Sequence, residues 1–231
     1  TIPALMAVGV PPVAALATNK LQSTFGTAGA VFAFARNGHI DLRRFAVPAA
    51  AAFAGAAGGA FAVTRIDPRW LAGLVPILLV AILLYFLFGP KLGEEDRHSR
   101  AGPALLFATA LLIGAYDGFF GPGTGSFFTT ALVALFGLGL VRAIAHTKLL
   151  NLASNLAALI IFVVNGEILW VAGLAMALAN VAGGQVGAHA AMRFGGRAAR
   201  PLLIIMSLGL TAKLLSDPAN PLTALIVSRL S

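Results

Sequence analysis

The sequence predicts an all-α polytopic membrane protein built from two homologous helical repeats, and three observations carry that expectation. Hydrophobic residues make up 59% of the 231-residue chain and charged residues only 10%, against roughly 25% charged in soluble domains. Apolar runs long enough to span a ~30 Å hydrocarbon core recur along the whole chain and not only at its start. The chain also repeats itself. An outer-membrane barrel would need short alternating segments instead, and these are absent. With no cysteine there are no disulfides and no thiol chemistry. The formal charge of +8 lies mostly in short loops between apolar runs, where it speaks for contact with membrane lipid and not for nucleic acid.

In chain order, the expected apolar segments are a short one at 1–10, then 12–36, 42–63, 70–88, 103–136, 141–164, 168–192 and 198–215. A weak amphipathic tail follows at 221–230. Pro11 and Pro12 suit a helix start, and Asn37-Gly38 and Asn165-Gly166 suit left-handed C-terminal caps. The segment 103–136 is too long for one straight span at a helical rise of about 1.5 Å per residue. Gly118, Gly121, Pro122, Gly123 and Gly125 stand in its middle, where helix continuity should fail. Non-helical backbone at membrane depth survives only where protein or a water-filled cavity satisfies it, so a discontinuous helix is expected. Close packing of small residues is the other reading of the same glycines.

The repeat appears when the chain is slid against itself, without a gap, until Lys20 lies on Lys148. Gly9/Gly137, Leu21/Leu149, Phe34/Phe162, Asn37/Asn165, Gly38/Gly166, Ile40/Ile168, Gly55/Gly183, Gly59/Gly187 and Arg65/Arg193 then coincide. Such repeats are a common transporter plan, with the site between the copies. The expected division is a first repeat at 1–90, a polar linker at 91–100 (KLGEEDRHSR), a second repeat at 101–216 and a tail at 217–231. Thr1 aligns with Thr129, so the first copy lacks a counterpart of 101–128. The expectation is a sequence truncated at its N-terminus by about one span. Basic residues stand in loops of both parities, so the positive-inside tally is balanced and assigns no orientation.

Lys148, Asn151 and Asn155 share one helix face, with Ser154 beside them. Lys20, Ser23 and Thr27 hold the matching positions in the first copy, flanked by Thr24. Intramembrane lysines mark a functional path by default. Two of them, with hydroxyl and amide donors and half-helix N-termini at Gly121, Gly123 and Gly125, would make an anion site. The alternative is that the lysines snorkel and the polar residues glue helices. Asp117 is a lysine partner, a proton-coupling carboxylate or a surface residue. Gly118 and His146 are candidates for coupling or gating. Gln185 and His189 share a face and either line a site or make an interhelical contact. No catalytic residues, metal ligands or cofactors are expected: four histidines without clustered carboxylates or cysteines make a poor metal site, and no Gly-Lys-Ser/Thr follows the glycines. A hydrolase built on Ser126 with His146 or His189 is the enzymatic rival, weakened by the missing second glycine after the serine.

The stretches GAYDGFFGPGTGSFF, AHTKLLNLASNLAAL and TIPALMAVGVPPVAALATNKLQSTFGT together resemble the TauE/SafE sulfite-exporter family of bacterial membrane permeases. The resemblance covers nearly the whole chain and includes motif order and the repeat. It implies about eight spans in two four-helix repeats, of which this chain lacks the first span and the first glycine motif. It also implies a multi-pass protein of the bacterial inner membrane that moves a small sulfur-containing anion such as sulfite or an organosulfonate. The motif positions carried over are Gly118, Gly121, Gly123, Gly125 and Lys148, with Lys20 as the first-half match. An anion channel or a non-transporting scaffold is the alternative.

Overall fold

The structure is a computed structural model. It describes residues 1–67 and 101–194, together with Trp70, Leu74, Ile77, Leu78, Val80, Ala81, Leu84, Glu95 and Asp96. The described residues are mostly helical and contain no strand. Among them, helices run in the order α1 (Ile2–Ala7), α2 (Pro12–Arg36), α3 (Leu42–Val63), α4 (Pro103–Phe119), α5 (Thr124–Ala134), α6 (Leu140–Asn165) and α7 (Trp170–Phe194). Of the expected segments, 70–88 is described only at scattered helical positions, while 198–215 and 221–230 lie outside the described residues.

Local chemistry sets most helix ends. Proline occupies the first turns of α1, α2 and α4, where its missing N–H leaves no carbonyl unpaired. The Asp41 carboxylate caps α3 by accepting from the Arg44 N–H at 3.0 Å, a contact worth about 1 kcal/mol. Gly166, at φ 73°, ends α6 in the left-handed conformation expected for it.

Helices α3, α6 and α7 are each long and apolar enough to cross a membrane. Helix α2 is as long, but its polar run from Thr18 to Thr27 keeps it out of that group. It is buried instead, packed on α6 and α7. Polarity is arranged inside out. Val171, Leu178 and Val164 are at least 78% exposed, while Lys20, Asp117, His146, Asn151, Ser154 and Asn155 are all buried. Water would not tolerate the first group and hydrocarbon would not tolerate the second, so a lipid surround accounts for both.

The packing crosses the two halves. The offset that lays Lys20 on Lys148 also lays the start of α2 at Pro12 on that of α6 at Leu140, and the start of α3 at Leu42 on that of α7 at Trp170. Helix α2 packs on α7 and α6 packs on α3, so each of these contacts joins helices that the offset carries to the other contact. One bond is even made twice with different side chains. The Asp41 N–H donates to His146 Nε2 at 3.0 Å, and the Leu169 N–H donates to Thr18 Oγ1 at 3.1 Å. The same offset carries Thr18 to His146 and Asp41 to Leu169.

Helices α3 and α4 touch backbone to backbone. A Cβ at Gly55 or Gly59 would collide with the Leu111 or Ala115 carbonyl, and one at Gly114 or Gly118 with those of Ala52 or Ala56. This small-xxx-small seam holds Gly118 inside α4, so Gly118 belongs to helix packing and the chain break lies beyond it. From the linker, Asp96 accepts from the Gly139 N–H and from Arg142, both at 2.6 Å. The Gly139 bond first, and Arg142 second, hold its carboxyl below the ordinary carboxylate pKa.

Neighbouring glycines test the seam. Gly59→Ala should destabilise the protein by about 1–3 kcal/mol through overpacking. Gly58→Ala, which would meet nothing within 4 Å, should be neutral or stabilise by up to about 1 kcal/mol. Thermal unfolding of the detergent-purified protein reads both. Equal effects would refute the close approach.

Candidate functional site

The site forms where the long apolar segment breaks. Helix α4 ends at Phe119, and Gly121 and Gly123 take φ 96° and 82°, values an L-side chain would strain to adopt. Helix α5 then begins at Thr124. The break is therefore narrower than the 118–125 run: two glycines turn the chain, while Gly118 and Gly125 are helical. The Tyr116 hydroxyl donates across the break to the Pro122 carbonyl at 2.6 Å, and Thr124 Oγ1 donates to the Gly121 carbonyl at 2.6 Å. The backbone N–H groups of Gly123 and Gly125 donate to no described residue. They are the free donors expected at the first turn of a half-helix.

Against this break lies a buried ion pair. Lys20 Nζ of α2 donates to Asp117 Oδ1 of α4 at 2.7 Å and to Asn155 Oδ1 of α6 at 3.0 Å. The Ser154 hydroxyl donates to Asp117 Oδ2 and also lies 3.2 Å from the Asn151 carbonyl. Lys20 is 1% and Asp117 2% exposed, so of the three readings of Asp117 the structure has the lysine partner and excludes the surface residue. Lys20 does not snorkel. It stands roughly 12 Å along the axis from Pro12, which opens α2. A Cβ at Gly121 would lie 3.0 Å from Nζ and 3.1 Å from Oδ1. The bare glycine thus leaves the break open toward the pair.

The α6 face divides. Asn155 belongs to the ion-pair network, whereas Asn151 turns toward α5. Asn151 Oδ1 is buried without a hydrogen bond, and a Cβ at Gly125 would lie 3.7 Å from it. Thr147 and Thr129 join their hydroxyls at 3.1 Å, and Thr129 donates to the Gly125 carbonyl at 2.7 Å. This threonine bridge was not singled out from the sequence, although Thr129 lies one turn beyond Gly125 and Thr147 one turn before Asn151. Lys148 is half-buried and makes no hydrogen bond or ion pair among the described residues. On α2, Ser23 is half-buried, and Thr24 and Thr27 donate to the Lys20 and Ser23 carbonyls of their own helix. Their hydroxyl hydrogens are therefore directed to backbone.

His146 stands apart from the network. Its Nε2 accepts from the Asp41 N–H, its Nδ1 lies 2.7 Å from the Arg142 carbonyl, and its ring stacks on Phe45 with centroids 3.9 Å apart. Both ring nitrogens meet backbone groups, so His146 is not free to act as a base for Ser126. His189 is exposed, with Nδ1 on the Gln185 carbonyl of its own helix at 2.8 Å. The interhelical contact expected there is made instead by Asn180, which donates to the Gln22 carbonyl at 3.1 Å. No group of three His, Cys, Asp or Glu side chains suited to a metal occurs among the described residues.

Known proteins share this chain's sequence throughout. The family described as "Sulfite exporter TauE/SafE" matches residues 1–214. A "Probable membrane transporter protein ORF9" of Sinorhizobium sp is 45% identical over 96% of this chain and 85% of its own. A "Probable membrane transporter protein" of Haemophilus influenzae is 43% identical over 94% and 86%. The "Probable membrane transporter protein YfcA" of Escherichia coli K12 is 41% identical over 94% and 81%. No solved structure gives a significant match.

The ion pair makes a stability prediction. Lys20→Met or Asp117→Leu alone should cost about 3–5 kcal/mol, because each disrupts a buried charge pair. Lys20→Met with Asp117→Leu should recover most of that loss. Thermal unfolding in detergent reads the cycle, and strictly additive losses would show that the two groups do not interact.

Proposed function

This chain belongs to the sulfite exporter TauE/SafE family, and on that footing we propose that it is a secondary transporter exporting a small sulfur-containing anion, such as sulfite or an organosulfonate, across the bacterial inner membrane. The observation that carries the reading is the polar interior at a helix break. N–H groups at Gly123 and Gly125 that have no partner among the described residues, and a buried polar cluster on α2 and α6, sit inside an apolar exterior. Helix N-termini at such breaks attract anions through unpaired donors and a positive dipole end.

The anion site lies between the two halves. Lys148 supplies positive charge, and the first turn of α5 supplies backbone donors. Asn151, Asn155, Ser23 and Thr27 line the way along α6 and α2. Lys20 stands behind the break at Gly121, where its charge is balanced by Asp117. No nucleotide-binding motif accompanies the site, so transport draws on an ion gradient or on the substrate's own gradient. Movement of α5 relative to α4 about Gly121 and Gly123 would open the site to alternate sides.

Labelled sulfite and sulfonates in reconstituted vesicles test this. Lys148→Ala and Lys20→Ala should each lower saturable flux on the order of tenfold or more, the value of a charge-assisted contact. Wild-type rates in both variants would remove the lysines from the site. Flux that neither saturates nor supports counterflow would make the protein a channel.

A further inference from the structure

Resting on the transport reading, we propose that Asp117 and Lys20 are the proton-coupling pair. A proton taken up by Asp117 releases Lys20 to the substrate, so one proton and one monovalent anion cross together without net charge, and outward only when the substrate's own gradient exceeds the opposing proton gradient.

The hydrogen bonds around Asp117 accommodate both of its protonation states. As a carboxylate it accepts from Lys20 at Oδ1 and from Ser154 at Oδ2. As an acid it needs an acceptor for its new O–H, and a serine oxygen can accept as well as donate. The displaced Ser154 hydrogen already has a second acceptor in the Asn151 carbonyl, 3.2 Å away. Lys20 meanwhile keeps Asn155 Oδ1 at 3.0 Å and has N–H directions free for an anion. Protonation therefore leaves no buried donor of the cluster without an acceptor, which would otherwise oppose it. The proton comes from water on whichever side the site is open to. It forms a bond to a carboxylate oxygen and returns to water on the other side.

Charge balance points the same way. Empty, the pair is Lys20 cation with Asp117 anion. Loaded, it is Lys20 cation with the substrate anion and a neutral Asp117. Neither form carries net charge through hydrocarbon, where an isolated charge is costly. A metal cation would have to replace the Lys20 ammonium, which already occupies Oδ1 at 2.7 Å. Among the described residues no second carboxylate and no histidine faces the pair to compete for the proton. Beside the Lys20 of α2, Asp117 meets Ser154 of α6 and its neighbour Tyr116 on α4, while Asn155 of α6 holds Lys20.

The test uses the full chain in proteoliposomes with labelled 2-hydroxyethanesulfonate, whose charge does not change near neutral pH. Proton movement then belongs to the protein and not to the probe. An inward proton gradient of about one pH unit should drive accumulation approaching about tenfold, the limit for one proton per anion. The lumen should acidify as it fills, and an imposed potassium potential should have no effect. In Asp117→Asn the ratio of uptake with and without the gradient should fall to about one. Asp117→Glu guards against a folding defect and should keep the coupling with a displaced pH profile. Ser154→Ala should displace the profile too while retaining the ion pair. Uptake indifferent to the proton gradient, driven by sodium, or electrogenic would overturn the proposal and leave transport standing. So would coupling that survives in Asp117→Asn. Absence of any saturable flux of sulfonate or sulfite would bring down the transport reading itself, and the coupling with it.

Discussion

The structure depends on one buried ion pair. Lys20 and Asp117 come from helices far apart in sequence and meet where α4 stops. Either charge alone would be costly in hydrocarbon. Together with Ser154 and Asn155 they tie α2, α4 and α6 around a single point. A buried pair of this kind is weak evidence for stability, since an apolar pair of equal volume often does as well. Its placement beside the bare Gly121 argues for a use beyond holding helices together.

The glycines of the central motif divide into separate tasks. Gly114 and Gly118 let α4 approach the backbone of α3, Gly121 and Gly123 turn the chain, and Gly125 leaves the first turn of α5 uncluttered in front of Asn151. A tightly packed seam thus abuts a turn within a short stretch of chain. That arrangement suits a half-helix that moves against a fixed neighbour. The two bonds from the Asp41 N–H to His146 and from the Leu169 N–H to Thr18 tie the starts of α3 and α7 to α6 and α2.

The membrane class, the bounds of α2, α3 and α6, and the discontinuity after α4 were legible in the sequence. All of these are local: apolar run length, proline at helix starts, glycine and asparagine at helix ends, and a glycine cluster too dense for a continuous helix. The offset that lays Lys20 on Lys148 also joins the starts of α2 and α6 and those of α3 and α7. The candidate site was legible only as a set of residues. Spacing put Lys148, Asn151 and Asn155 on one face, but could not say that Asn155 serves Lys20 while Asn151 turns to α5.

What the sequence determined by itself is the kind of solvent this chain requires and where its helices begin, end and break, since each follows from a few neighbouring residues. What only the tertiary structure decided is how its charges are matched. Two lysines that read as a symmetric pair have different surroundings, one held by a carboxylate 97 residues away and the other without a partner among the described residues. His146, which read as a gating candidate, closes a backbone bond 105 residues away. Partners so distant in the chain are set by how helices pack across the two halves, and a residue's own neighbours carry no record of that.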